Sequence, residues 1–251
     1  MLTTNVFSIS RFLYLLKNEL LVHFRTSMIT FGAIISVLST LALLSNIGLG
    51  LKGIHVEFFK IILVLGGYLL TAVSFKVLHH KKSASFYLML PAALFEKLLS
   101  KLILTSIGHV AGISLLYYLI TYLVSWISIW LFGQALPTFN LFTDSNLTCV
   151  SFYLITQSIF LLGSIHFKSR QFIKTVFSIW LFGVVILISI GISAWYILDY
   201  SIRELDMHNF YQMLFKQYNT PVFKILKYSI WFGVAPFFWF VSYLKLKKHE
   251  V

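Results

Sequence analysis

Long apolar runs separated by short polar clusters dominate the chain. Six stretches hold about 20 mostly apolar residues, the length an α-helix needs to cross a bilayer. They are Met28–Leu49, Phe58–Leu78, Leu102–Val124, Leu147–Phe167, Thr175–Leu198 and Tyr228–Leu244. The second carries Lys60 and Lys76 near its ends, where long side chains reach the interface. The sixth contains Pro236, which predicts a kink. Ahead of the first span the period changes. Over Phe7–Arg25, a 100° wheel puts Ile9, Phe12, Leu13, Leu16, Leu20 and Phe24 on one face. Arg11, Lys17, Asn18 and Arg25 fall on another. This segment reads as an amphipathic helix in the headgroup plane, the alternative being the extended start of span one. It has no cleavable-signal pattern.

The connections differ in kind. His79–Lys101 is basic and contains a short helix, with Pro91 in its first turn and Ala92–Lys101 running on into span three. Between spans three and four there is no Lys or Arg, only Pro137 and Asp144. Residues 199–227 are amphipathic in part, with Phe210, Met213 and Leu214 against Asp206, His208, Gln212 and Lys216. The last of these predicts a segment resting on the outer interface.

Composition excludes the soluble classes. Of 251 residues, 59% are hydrophobic and only 11% charged, against roughly 25% charged in a soluble domain. Disorder is excluded by the 25 Phe, 13 Tyr and 6 Trp. The expected fold class is an all-α integral membrane domain over 1–251: an amphipathic helix in 1–27, then a six-helix membrane domain in 28–251. Net charge is +12, which in a soluble chain would suggest nucleic acid. Topology accounts for it instead. With both termini inside, only Lys52, Lys60, Arg203, Lys216, Lys224 and Lys227 of the 20 basic residues lie outside, and 14 lie inside. No nucleic-acid partner is expected.

Candidate chemistry is sparse. The single Cys149 reads as a small apolar residue. Gly48-Leu-Gly-Leu-Lys-Gly53 matches G-x-G-x-x-G but ends a span, not a strand, and no acidic residue follows at the ribose spacing. No P-loop pattern occurs. His79 and His80 precede Lys81 and Lys82, a poor setting for a metal. Asn146-Leu-Thr148 is a glycosylation sequon, relevant only in a eukaryotic secretory pathway. The spans hold no carboxylate, which removes the usual ion-coupled relay. His109 is the ionisable residue well inside a span: a pathway residue, or a neutral histidine bonded to a neighbouring helix, the second being favoured. Gly66, Gly67, Gly108, Gly112, Gly183 and Gly191 read as close-packing positions. Ser128–Gly133 recurs as Ser178–Gly183, but the flanks do not match, which indicates biased composition.

This arrangement resembles the permease subunits of ABC-2 type ABC transporters. Phe86-Tyr-Leu-Met-Leu-Pro-Ala-Ala-Leu-Phe-Glu-Lys97 is similar to the family stretch y-L-x-L-P-A-[ST]-x-x-E-K, with Leu90, Pro91, Ala92, Glu96 and Lys97 matching. Ala93 stands where Ser or Thr is expected. Arg11-Phe-Leu-Tyr-Leu-Leu-Lys-Asn-Glu-Leu20 is similar to the family's amphipathic "elbow" helix, with Arg11, Lys17 and Glu19 its charged positions.

The resemblance implies a bacterial inner-membrane exporter subunit that pairs with itself or a related permease. It also implies a separate cytoplasmic ATPase, which would carry the ATP and Mg and dock on a coupling helix at Leu90–Lys97. This chain would then be no enzyme and need no cofactor, and its cargo would be apolar or amphipathic. The main alternative is a non-transporting scaffold subunit of an envelope or secretion complex. An intramembrane enzyme lacks a catalytic cluster in the sequence, and an ion-coupled carrier lacks the carboxylates.

Overall fold

The computed structural model describes residues 7–44, 54–79, 81–201 and 221–248. Among them every regular element is helical. The helices are α1 (Ile9–Leu44), α2 (Ile54–Ile61), α3 (Gly67–Val73), α4 (Lys81–Met89), α5 (Leu94–Ile103), α6 (His109–Phe132), α7 (Asp144–His166), α8 (Gln171–Ser201) and α9 (Pro221–Lys247). A π-turn, Ile62–Gly66, joins α2 to α3, and a second, Leu104–Gly108, joins α5 to α6. A 3-10 turn, Lys76–His79, leads towards α4.

Among the described residues, four helical segments are long and apolar enough to cross a membrane: Glu57–His79, Leu94–Phe132, Asp144–His166 and Gln171–Ser193. Their outer faces carry large apolar groups, including Leu115, Tyr118 and Trp126 on α6 and Phe177, Trp180 and Leu187 on α8. Water cannot solvate such faces cheaply, whereas lipid can. The chain is a multi-pass helical membrane protein. The Gly48–Gly53 string, His80 and residues 202–220 of the expected outer segment lie outside the described residues.

The amphipathic helix is not a separate element. Helix α1 runs 36 residues without a break, roughly 54 Å, joining Phe7–Arg25 to the expected first span. Arg25-Thr-Ser-Met28 contains no glycine or proline to stop it. Its face is corrected too. Arg11, Leu15 and Glu19, four residues apart, turn inward, while Ile9, Leu13, Leu20 and Leu21 are exposed. In lipid the apolar stripe belongs outside, and the charges turn in because partners await them. Helix α9 continues through Pro236.

Among the described residues the core has two apolar clusters. One gathers Phe59, Leu63, Ile113, Tyr117, Ile120, Val124, Leu136, Phe139 and Tyr153. The other holds Phe75, Leu78, Tyr87, Leu98, Leu161, Ile165 and Leu246. Helix α7 contributes to both and packs against α3, α8 and α9. Two glycines set its crossings. A Cβ on Gly67 would collide with the Tyr153 ring, and one on Gly163 would collide with the Thr175 hydroxyl. Gly67 was among the expected packing glycines and Gly163 was not. At Gly112, Gly183 and Gly191 an added Cβ would meet nothing within 4 Å, so close packing among the described residues does not explain them.

The uncharged connection after α6 is ordered by hydroxyls. Gly133 ends α6 at φ +68°, a left-handed cap that favours glycine. The chain then runs back along α6. Ser128 Oγ donates to the Gln134 carbonyl (2.7 Å), Ser125 Oγ accepts the Leu136 N–H (3.2 Å), and Thr121 Oγ1 accepts the Phe139 N–H (3.1 Å). Irregular backbone beside a membrane helix requires such partners. The sequon is closed off: Asn146 is buried, and its Nδ2 donates to the Asn140 carbonyl at 2.7 Å.

Candidate coupling site at the junction of α1 and α5

The stretch that resembles a coupling helix folds as a helix–bend–helix. Helix α4 was not anticipated, and the expected helix starts later than proposed. Leu90, Pro91 and Ala92 form a bend, Ala93 is the extended N-cap (ψ 147°), and α5 begins at Leu94. Pro91 is therefore before the helix, not in its first turn. The start is set by Glu96, whose Oε2 accepts the Ala93 N–H at 3.0 Å. This is half of a capping box; alanine supplies no hydroxyl for the other half.

Glu96 also closes a second helix. Its Oε1 accepts the Ser8 N–H (2.7 Å), immediately before α1, and an Arg11 Nη2–H (3.2 Å). One carboxylate thus caps the N-termini of α1 and α5 and pairs with a guanidinium. The side chain is 0% exposed. Both helix ends carry partial positive charge, so the buried anion sits where three donors and two dipoles favour it.

Further along, Lys101 Nζ donates to Glu19 Oε2. The order of charges runs plus then minus on α1 and minus then plus on α5. Parallel helices match both pairs; an antiparallel register would bring Arg11 to Lys101 and Glu19 to Glu96. The four charges therefore specify helix direction as well as contact.

Lys97 is buried as well, its ammonium 5.7 Å from the centre of the Tyr87 ring on α4. Burial pushes the Tyr87 phenol well above its ordinary pKa, and the nearby Glu19 charge adds to this. Tyr87 stays neutral and presents its ring to the cation. Lys17 is exposed on another side of α1 and does not join the cluster.

The exposed side chains around the bend include several apolar ones. Met89 is 80% exposed, and Leu90, Pro91 and Phe95 are also exposed. Phe95 packs edge-on against Phe7 (6.1 Å between ring centres) and Tyr243 of α9 (6.4 Å). Of the residues expected at a docking contact, Leu90 and Pro91 face outward, whereas Glu96 and Lys97 are interior.

His109 lies deeper, at the end of the second π-turn. Its Nε2 is 3.1 Å from the Leu63 carbonyl, so that nitrogen carries the proton and donates. His79 Nε2 is likewise 2.8 Å from the Ser164 carbonyl. Among the described residues no three His, Cys, Asp or Glu gather as a metal site.

Compared with protein-family models, curated proteins and solved structures, the chain matches none. The site must be interpreted on its own geometry. Sequence reasoning missed Ser8 and Tyr87. A signal was present for Lys101: the opposite charge orders of Arg11/Glu19 and Glu96/Lys101 are legible in the sequence.

Proposed function

We propose that this chain is the membrane-spanning permease subunit of an ATP-driven ABC exporter, with six spans and both termini in the cytoplasm. It works as a dimer, with itself or a related permease, in a bacterial inner membrane. A separate cytoplasmic ATPase docks on the bend after α4. The cargo is apolar or amphipathic.

The observation that supports this reading most is the pairing of an exposed apolar tip with a buried clamp behind it. Met89, Leu90, Pro91 and Phe95 offer a partner an apolar contact. Behind them, Glu96 and Lys101 tie α5 to α1, and α5 continues through its π-turn into α6. A push on the tip is delivered to α5 and, through the clamp, to α1 as one body.

The test is purification of the tagged chain in mild detergent, with identification of the bound proteins. A stoichiometric P-loop ATPase is expected, and it should be lost on Leu90→Asp with Pro91→Gly while the chain keeps its thermal stability. A complex without an ATPase overturns the reading.

A further inference from the structure

The two π-turns lie side by side. Residues 62–66 and 104–108 sit on adjacent legs of the hairpin whose tip is the α4–α5 bend. His109 Nε2 crosses from the end of one π-turn to Leu63 in the other, and a Cβ on Gly66 would be 3.6 Å from the His109 ring. The same level separates the two apolar clusters of the core. Phe59, Leu63, Ile113 and Tyr117 lie on one side, and Phe75, Leu78, Leu98 and Leu161 on the other.

Between the clusters runs a polar layer. Tyr153 donates its hydroxyl to the Thr105 carbonyl, and Gln157 Nε2 donates to Thr105 Oγ1 at 2.7 Å. Thr105 Oγ1 in turn donates to the Lys101 carbonyl at 2.8 Å, and Thr71 Oγ1 to the Gly67 carbonyl at 2.7 Å. Tyr153, Gln157 and Thr71 are each 0% exposed. Gln157 Oε1 has no partner among the described residues. Apolar cores resist sliding because their packing is specific, whereas a layer of hydroxyls and amides can exchange partners.

We propose that the paired π-turns are matched hinges, about which the hairpin from Gly67 to Ile103, with the N-terminal part of α1 clamped to it, swings against α2 and α6. Each π-turn is a single extra residue in an otherwise α-helical leg, the usual origin of such turns and a recognised cause of helix bending. Two hinges at one depth let both legs bend together, and the apolar contacts of Phe75, Leu78 and Leu98 carry the Leu161–Ile165 end of α7 with them. Tyr153 and Gln157 hold the present state through Thr105, and the vacant Gln157 oxygen is an acceptor for the other. A 20° bend on a leg of about ten residues, a lever of roughly 15 Å, moves the tip by about 5 Å.

The test needs no ATPase, so its failure is separate from failure of the permease reading. The full chain carrying Cys149→Ser, Met89→Cys and Leu119→Cys is spin-labelled in lipid nanodiscs, and the distance distribution is measured by pulsed electron resonance. Two components about 5 Å apart are expected. Deleting Leu65 and Ile107, exposed residues of the two π-turns, removes both extra residues while keeping each half in phase. That variant should fold and give one narrow component. Deleting Tyr118 from regular α6 should abolish folding. A single narrow component in the undeleted chain overturns the hinge, as does a Leu65/Ile107 deletion that fails to fold like the Tyr118 control.

Discussion

Replacing Glu96 with glutamine is the sharpest probe of the double cap. The side chain keeps its shape, but one oxygen becomes an NH2. If the remaining oxygen serves Ser8 and Arg11, the NH2 faces the Ala93 N–H, donor against donor, and the α5 cap is lost. That costs about 1 kcal/mol. The Arg11 contact drops from an ion pair to a hydrogen bond with one charged partner, about another 1 kcal/mol. Each of the two helix N-termini loses a neighbouring anion, at about 0.3–1 kcal/mol. Relief of carboxylate desolvation offsets part of this, so the net loss is about 2 kcal/mol. The assay is unfolding in mixed micelles followed by tryptophan fluorescence, with exposed Lys17→Gln as the control. In a double-mutant cycle, Arg11→Gln should lose most of its effect once Glu96 is glutamine. A Glu96→Gln loss under about 0.5 kcal/mol, indistinguishable from Lys17→Gln, refutes the clamp.

Ala93→Ser supplies the missing hydroxyl of the capping box and should raise stability by about 0.5–1 kcal/mol in the same assay; a loss would contradict the cap geometry. Gly67→Ala and Gly163→Ala each drive a methyl into a neighbouring side chain and should destabilise by about 1–3 kcal/mol or more, whereas Gly183→Ala, with open space around it, should be neutral or slightly stabilising. A fluorescent reporter fused after Val251 should report the cytoplasm, given Lys245, Lys247 and Lys248; an outside signal overturns the six-span count.

What was legible in the sequence followed from periodicity and bulk hydrophobicity. The four membrane-length helices fall where the apolar runs placed them, because burying about 20 apolar residues overrides local detail. The fusion of the amphipathic segment with the first span stood only as the alternative, since a wheel shows which residues share a face and not where a helix stops. The inward turn of Arg11 and Glu19 was hidden for a related reason: polarity normally marks the wet face, and only the partners on α5 reverse it. Pro91 was assigned to a first turn on its general preference, and the return of Glu96 to Ala93 placed the boundary after it. The π-turns were not legible in periodicity, because these spans are apolar on nearly every face and a phase change of about 100° has no polar stripe to show it. The hydroxyls of Thr121, Ser125 and Ser128 looked like ordinary polar relief in a span, and only the returning backbone gives them a purpose.

The central claim is that the bend after α4 meets an ATPase, and the most direct measurement is site-specific photo-crosslinking in living cells. A photoreactive residue at Met89, the strongly exposed last residue of α4 beside the bend, should trap a P-loop ATPase in one discrete adduct. The same residue at Trp180, on the outer face of α8, should trap none. No adduct at Met89, or an ATPase adduct only at Trp180, contradicts the account.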